Sequence, residues 1–250
     1  MQRSLLLALV GGLAASAAQA QTSLNLGASL TQGNSESTVI NIGASNTQTN
    51  GLHEIAFKAD YNYGEAVPKG ASDSEKNTEN ASAAAKYRYL FADPMYAYVN
   101  GDILTDDIAG IDYRLTVGPG LGTLLMKDAV SELSVEAGLA YVKEELTGEN
   151  TAADGTVTEV KTEDDRIALR VAQGYKRDLS ATANVFQTLE WLPTIDDFGQ
   201  FLLNAEIGVE SMMNDSLSLR LVAKNSHNSE PAEGKDENDL SLIAGIGYKL

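Results

Sequence analysis

Two histidines, His53 and His227, are the only side chains whose ordinary titration range brackets neutral pH. A serine hydrolase would need one of them beside a nucleophilic serine and a group that orients the ring. Ser226 adjoins His227, but neighbours on a strand point to opposite faces, so that pair cannot work together. The run Gly118-Pro119-Gly120-Leu121-Gly122 superficially suggests a phosphate loop. It lacks the following Lys-Ser/Thr and a strand-to-helix setting. Its glycines recur at every second position, so on a strand they share one face and leave space in a narrow lumen or let the strand curve.

Acidic residues crowd two stretches: Glu144, Glu145, Glu149, Asp154, Glu159, Glu163, Asp164 and Asp165 in one, and Glu230, Glu233, Asp236, Glu237 and Asp239 in the other. Aligning a calcium loop on Asp154-Gly155 puts Ala152 and Lys161 at ligand positions, so that motif fails. A solvated, self-repelling surface is the default, with weak, diffuse Ca²⁺ or Mg²⁺ association as the alternative. Asp154-Gly155 itself reads as a hairpin tip. There is no cysteine, which removes thiolate metal and redox chemistry. No catalytic cluster, metal centre or cofactor is expected, and the chain reads as non-enzymatic.

Export comes first among the features that must position these residues. A basic head and short apolar run, Met1-Gln2-Arg3-Ser4-Leu5-Leu6-Leu7-Ala8-Leu9-Val10, precede Ala18-Gln19-Ala20. This is the pattern of a signal peptide over residues 1–20, leaving 21–250 as the mature domain. No later stretch approaches the ~18 apolar residues of a membrane helix. A net charge of −17 disfavours nucleic acid as a partner.

Beyond residue 20 the apolar residues recur with period two. Leu240, Leu242, Ala244, Ile246 and Tyr248 oppose Ser241, Gly245, Gly247 and Lys249, and Leu217, Leu219 and Leu221 oppose Ser218 and Arg220. Read this way, the chain predicts about 12 strands, near 23–32, 37–48, 53–64, 78–91, 95–105, 110–124, 130–144, 163–176, 179–192, 199–211, 215–226 and 238–250. Most reach the ~9–11 residues a tilted strand needs to cross a bilayer. Short turns alternate with connections that are mostly longer, at 65–77, 145–162, 193–198 and 227–237, as in outer-membrane barrels. The predicted fold is all-β, an antiparallel transmembrane β-barrel.

The ten tyrosines fall on the apolar face in this register and near strand ends. Tyr87, Tyr89, Tyr96, Tyr98, Tyr175 and Tyr248 lie at the short-turn end; Tyr61, Tyr63, Tyr113 and Tyr141 lie at the other, with Trp191 and Phe201. Two aromatic belts are what a membrane interface selects. The opposite face carries Lys58, Asp60, Lys86, Arg88, Asp112, Arg114, Glu136, Arg170, Glu206 and Arg220. Both signs are present, so these candidate lumen-lining charges can pair inside the barrel. Gln173 and Gln187 break the rule by falling on the lipid face, and alternation weakens over 99–105. His53 falls at the periplasmic rim and His227 at the external rim, ~25 Å apart by the height of the apolar band.

Three stretches carry a family resemblance. They are Leu26-Gly27-Ala28-Ser29-Leu30-Thr31-Gln32-Gly33-Asn34; the run from Ala85-Lys86-Tyr87-Arg88-Tyr89 through Gly118-Pro119-Gly120 to Ala140-Tyr141; and the closing Ala244-Gly245-Ile246-Gly247-Tyr248-Lys249-Leu250. The chain resembles the salt-induced outer-membrane protein family, YdiY-like or domain of unknown function 481. The family's last residue is often aromatic where this chain has Leu250, and the 145–162 connection is long for it. The resemblance implies a barrel in a Gram-negative outer membrane, with lipid and the barrel-assembly machinery as partners. It carries no catalytic or binding residues.

The leading expectation is a barrel serving envelope integrity or salt and osmotic stress. A narrow, porin-like diffusion channel for small solutes or ions is the alternative, and an outer-membrane hydrolase is a third class.

Overall fold

Residues of alternating character make strands because one face can meet apolar surroundings while the other stays polar. A computed structural model describes residues 19–31, 36–67, 73–151 and 157–250, and in it the alternation becomes twelve strands. They are β1 (Gln19–Thr31), β2 (Glu36–Asn50), β3 (His53–Val67), β4 (Glu75–Ala92), β5 (Met95–Asp106), β6 (Ile111–Lys127), β7 (Ser131–Thr151), β8 (Val157–Asp178), β9 (Ala183–Pro193), β10 (Phe201–Met212), β11 (Leu217–Asn228) and β12 (Asn238–Lys249). Each pairs antiparallel with the next, and β12 returns to β1 to close a barrel. That seam is short: its register runs only from Ser23 opposite Lys249 to Ala28 opposite Ala244.

Residues 1–18, which hold most of the expected leader, lie outside the described residues, as do the expected tip Asp154-Gly155 and most of the expected 33–36 connection. β1 begins at Gln19, so cleavage after Ala20 would trim its first residues.

The outer wall is apolar on every side. Leu26, Ile42, Leu121, Leu139, Ile207, Leu219 and Leu242 are each more than half exposed. An apolar girdle of this extent is not left to water, at ~25 cal/mol per Å². A strand of 12 residues, such as β10, tilted ~45° rises roughly 28 Å, which matches a lipid-facing band of ~25 Å. Gln173 and Gln187 do sit on this wall, where Gln187 Nε2 donates to Gln173 Oε1 at 3.5 Å. The two amides that break the alternation thus answer each other.

Three expectations change. Tyr96 and Tyr98 are not belt residues: both lie inside the barrel at 2% exposure. β5 has regular alternation after all, with Val99 and Ile103 exposed on the outside and Tyr98 opposite the inward Arg88. The interior can take the rings because Tyr96 stands opposite Gly122 and Tyr98 opposite Gly120; a Cβ at either glycine would strike the facing ring. Within 145–162 the described residues, 145–151 and 157–162, are not an acidic loop but strand: they extend β7 and β8, of 21 and 22 residues, which pair out to Thr151 opposite Val157. Finally, the register slips between Ile111 and Tyr113. This bulge turns Ile111 inward and puts Asp112 on the outer surface, where it meets Thr147 and Lys161. Asp112 therefore leaves the set of lumen-lining residues.

Candidate functional site

The barrel wall encloses a lumen, and its two halves are built differently. The half centred on β5 to β9 is packed, with Lys86 and Arg88 reaching into it from β4 and Glu54 from β3. Glu136 on β7 receives Lys86 Nζ at 2.5 Å and Arg170 Nη1 at 2.8 Å, with Arg88 Nη2 at 3.5 Å. Tyr96 donates its hydroxyl to the same carboxylate at 2.9 Å, and Arg170 Nη1 also reaches the Tyr98 hydroxyl at 2.8 Å. Arg170 Nε donates to Glu190 at 2.6 Å, and Arg88 Nη1 to Glu54 at 3.0 Å. The guanidinium of Arg170 and the ammonium of Lys86 also flank the Tyr98 ring. Each charge has a counter-charge, as burial in a low-dielectric interior demands.

Higher in the same half, Glu144 is fully buried between Arg114 Nε at 2.5 Å and Arg166 Nη1 at 2.6 Å. Arg166 is shared with Asp164. Beside this group Ala140, Val142, Ala168, Leu192 and Leu202 form a small apolar core within the barrel. It was not foreseen, because these residues occupy inward positions where period two predicts polar ones.

The other half, from β10 through β11 and β12 to β1, β2 and β3, is open. Lys58 lies 3.6 Å from Asp60 and 3.5 Å from Glu206, and Lys224 is 3.8 Å from Glu206. Arg220 donates to Asn25 Oδ1 at 2.5 Å and lies over the Phe186 ring. Between the halves runs a cavity of about 630 Å³. It extends from Asn77, Asp106 and Asp239 at the end from which β7 and β8 project to Arg88, Ser134 and Gly174 towards the short-turn end. Towards the β7–β8 end amides and hydroxyls stand beside the carboxylates of Asp106 and Asp239. Asn41 Nδ2 donates to Asn62 Oδ1, and Asn62 Nδ2 donates to Asn80 Oδ1 at 2.5 Å. Across from them Ser226 Oγ donates to Asn204 Oδ1 at 3.0 Å.

Of the charges expected inside, Lys58, Asp60, Lys86, Arg88, Glu136, Arg170 and Glu206 border this cavity or its ion pairs, Arg114 lies in the packed group around Glu144, and Arg220 lies in the open half against Asn25 and Phe186. Asp112 alone stands outside, for the reason given. On that outer surface the hydrogen bond from Lys161 holds the Asp112 carboxyl below the usual carboxylate range and raises the Lys161 ammonium.

Part of the mouth at the β7–β8 end is roofed. The segment between β11 and β12 crosses to the β7–β8 hairpin, where Glu149 N–H donates to Glu233 O at 3.1 Å and Asn150 Nδ2 to Glu233 Oε1 at 3.0 Å. Gln200 Nε2 donates to Glu230 at 2.8 Å, and Ala232 is buried against Ile111 and Leu146. Gly148 is required here, because a Cβ would press on the Glu233 backbone.

The histidines stay apart. His53 stacks on Tyr89 at 5.2 Å and meets the Tyr87 hydroxyl at 2.7 Å at the short-turn end. His227 lies 5.0 Å from Phe201 at the external end and 3.1 Å from Asn238 Oδ1. Both sit in the aromatic belts.

The chain is similar to several solved structures. The translocator domain of the autotransporter NalP from Neisseria meningitidis matches with a TM-score of 0.51 at 16% identity, over 92% of this chain and 87% of that one. The KdgM porin matches at 0.48 and 6% identity, over 91% and 99%; the NanC porin matches at 0.48 and 9%, over 92% and 100%. The likeness to the translocator domain is one of fold: an outer-membrane-type β-barrel. Comparison with curated proteins gives no match. A family model matches residues 24–250, nearly the whole barrel, and the chain belongs to the family described as Protein of unknown function, DUF481.

Proposed function

We propose that this barrel is a narrow, non-enzymatic channel for small hydrophilic solutes or ions in the outer membrane of a Gram-negative cell. The observation that carries the reading is the cavity of about 630 Å³ that runs between the two halves of the lumen and is lined by amides, hydroxyls and charged side chains among apolar ones. The apolar outer wall and the paired aromatic belts support placement in lipid. An inner wall of amides, hydroxyls and paired charges favours water and small polar solutes over lipid or a protein core. Separation of the histidines argues against a hydrolase, since neither has a serine and an orienting group at hand.

A structural role in envelope integrity under salt or osmotic stress is the second reading. The packed half favours it, since the Glu136 and Glu144 groups fill lumen that a transport barrel could leave free. Planar-bilayer recording of the purified, folded protein separates the two. Discrete conductance steps are expected of the channel; their absence across salts and voltages would leave the structural role.

A further inference from the structure

We propose that the free edge of β8, beyond the point where β9 leaves it, docks an extended, basic polypeptide segment as an added strand. The inference goes beyond the channel reading and does not need the lumen to conduct.

β7 and β8 pair with each other from Ser131 opposite Arg177 to Thr151 opposite Val157, whereas their neighbours stop short. The β6 ladder stops at Ile111, opposite Leu146. The β9 ladder stops at Trp191, opposite Val171, with a last bridge from Thr194 to Ala168. The hairpin therefore stands beyond the rest of the wall with an edge on each side. Its β7 edge is covered: Thr147 N–H donates to Gly110 O at 2.8 Å and Glu149 N–H to Glu233 O at 3.1 Å. On the β8 edge the last backbone bond among the described residues runs from Ile195 N–H to Ile167 O at 3.0 Å. Val157 through Glu163 are all exposed. Parity fixes which backbone groups face out. Ile167 turns its carbonyl to the free side, and the pairing with β7 continues without a slip. Asp165, Glu163, Lys161 and Glu159 therefore turn their N–H and C=O groups the same way.

A long strand edge that is neither covered nor bulged is a template for another strand. Charge selects the occupant. Glu159, Glu163 and Asp165 flank this edge on the outer face, and the lysine among them, Lys161, is already held by Asp112 at 2.8 Å and Glu145 at 3.4 Å. On the inner side a cavity of about 260 Å³ lies between the hairpin and the roof. Val160, Thr162 and Asp164 of β8 line it, with Gln200, Glu230 and Pro231 across from them. A second copy of β8 brings the same excess of acid and is repelled. Acidic side chains thus guard the edge against its own kind and admit a strand of opposite charge. A segment with lysine or arginine at alternate positions meets carboxylates on the outer face, while its intervening side chains enter the cavity beside Val160 and Pro231.

The experiment uses the whole folded barrel in nanodiscs, with empty nanodiscs as the blank. A short fluorescent peptide of alternating lysine and threonine is titrated by anisotropy. It should bind saturably, and the same peptide with glutamate for lysine should not. A version N-methylated throughout keeps its charge but loses its backbone donors, and should bind weaker by roughly tenfold or more. Lys161→Pro removes an edge-facing N–H together with a positive charge. Strand addition predicts roughly tenfold weaker binding to that variant, whereas attraction by charge alone predicts tighter binding. Glu163→Lys with Asp165→Lys should weaken binding at least as much, and Glu132→Lys at the short-turn end should leave it as it is. If the proline variant fails to fold, the methylated peptide decides the same point on the unaltered protein. Equal binding of the acidic peptide, undiminished binding of the methylated one, or no saturable binding at all would overturn the inference, whatever the bilayer recordings show. Saturable binding without conductance steps would remove the channel reading alone.

Discussion

The packed and open halves of the lumen are made by the same kind of strand, yet only one is built like a protein interior. Around Glu136 the ion pairs close at 2.5 and 2.8 Å, with side chains of Glu136 and Arg170 only 5% and 7% exposed. Around Glu206 the distances are 3.5 and 3.8 Å, and the Lys58 side chain is half exposed. The glycines account for much of the difference. Gly120 and Gly122 give up their side chains so that Tyr98 and Tyr96 can lie flat against the wall and fill the space around the charges. The open half has smaller side chains and no such fillers between Asn62 and Asn204. What the contrast teaches is that strand number does not fix whether a barrel is filled. The pairing of a large inward residue with an inward glycine does.

The comparison can be broken most directly at its charges. Glu136→Ala would strand Lys86 and Arg170 in the packed half, and a loss of about 3–5 kcal/mol is expected from an uncompensated buried pair. Glu206→Ala, among partly solvated partners, should cost under about 1 kcal/mol. Urea unfolding of the two variants in lipid vesicles measures both, and equal losses would erase the distinction between the halves. A smaller effect is expected from packing. Gly120→Val drives a side chain into Tyr98 and should cost about 1–3 kcal/mol or more, whereas Gly101→Val on the lipid side meets only loose contacts at 3.8 Å and should be tolerated. The same unfolding assay ranks them.

The smallest effect concerns the exposed hairpin that carries the roof. Asp112 has its carboxyl lowered by Lys161, so their attraction is present at neutral pH and is lost only as acid protonates Asp112, below roughly pH 4. Asp112→Asn should therefore lower the melting temperature slightly at pH 7 and make no difference well below that point. A gap that widened in acid would contradict the sign.

The strand plan was legible in the chain because period two leaves a trace on every segment, and β11 and β12 show it almost without exception. Lumen-facing charges were legible for the same reason. Tyr96 and Tyr98 were not, because a tyrosine is equally at home in an interfacial belt and against a glycine inside a barrel. The signal that could have placed them was the phase of their own strand: Asn100 and Asp102 share their parity, while Val99 and Ile103 share the other. Asp112 was misplaced because an extra residue at a bulge puts Ile111 and Asp112 out of phase with the rest of β6, and a bulge leaves no mark in a hydrophobic pattern. The roof over the mouth was hidden for another reason. Glu230 and Glu233 look like solvated acids, and nothing in their spacing tells that Gln200, Asn150 and the backbone at Glu149 wait across the opening to receive them.

The junction of β1 and β12 gives the molecule a built-in point of first give. A ring of strands has no free edge to fray, so it must loosen by parting somewhere. The register shared by the two chain ends stops at Ala28 and Ala244, while β12 continues to Asn238 along β11 alone. Above Ala28 the circle is held by fewer rungs than anywhere else along its circumference. Any sideways breathing of the wall towards surrounding lipid would begin there.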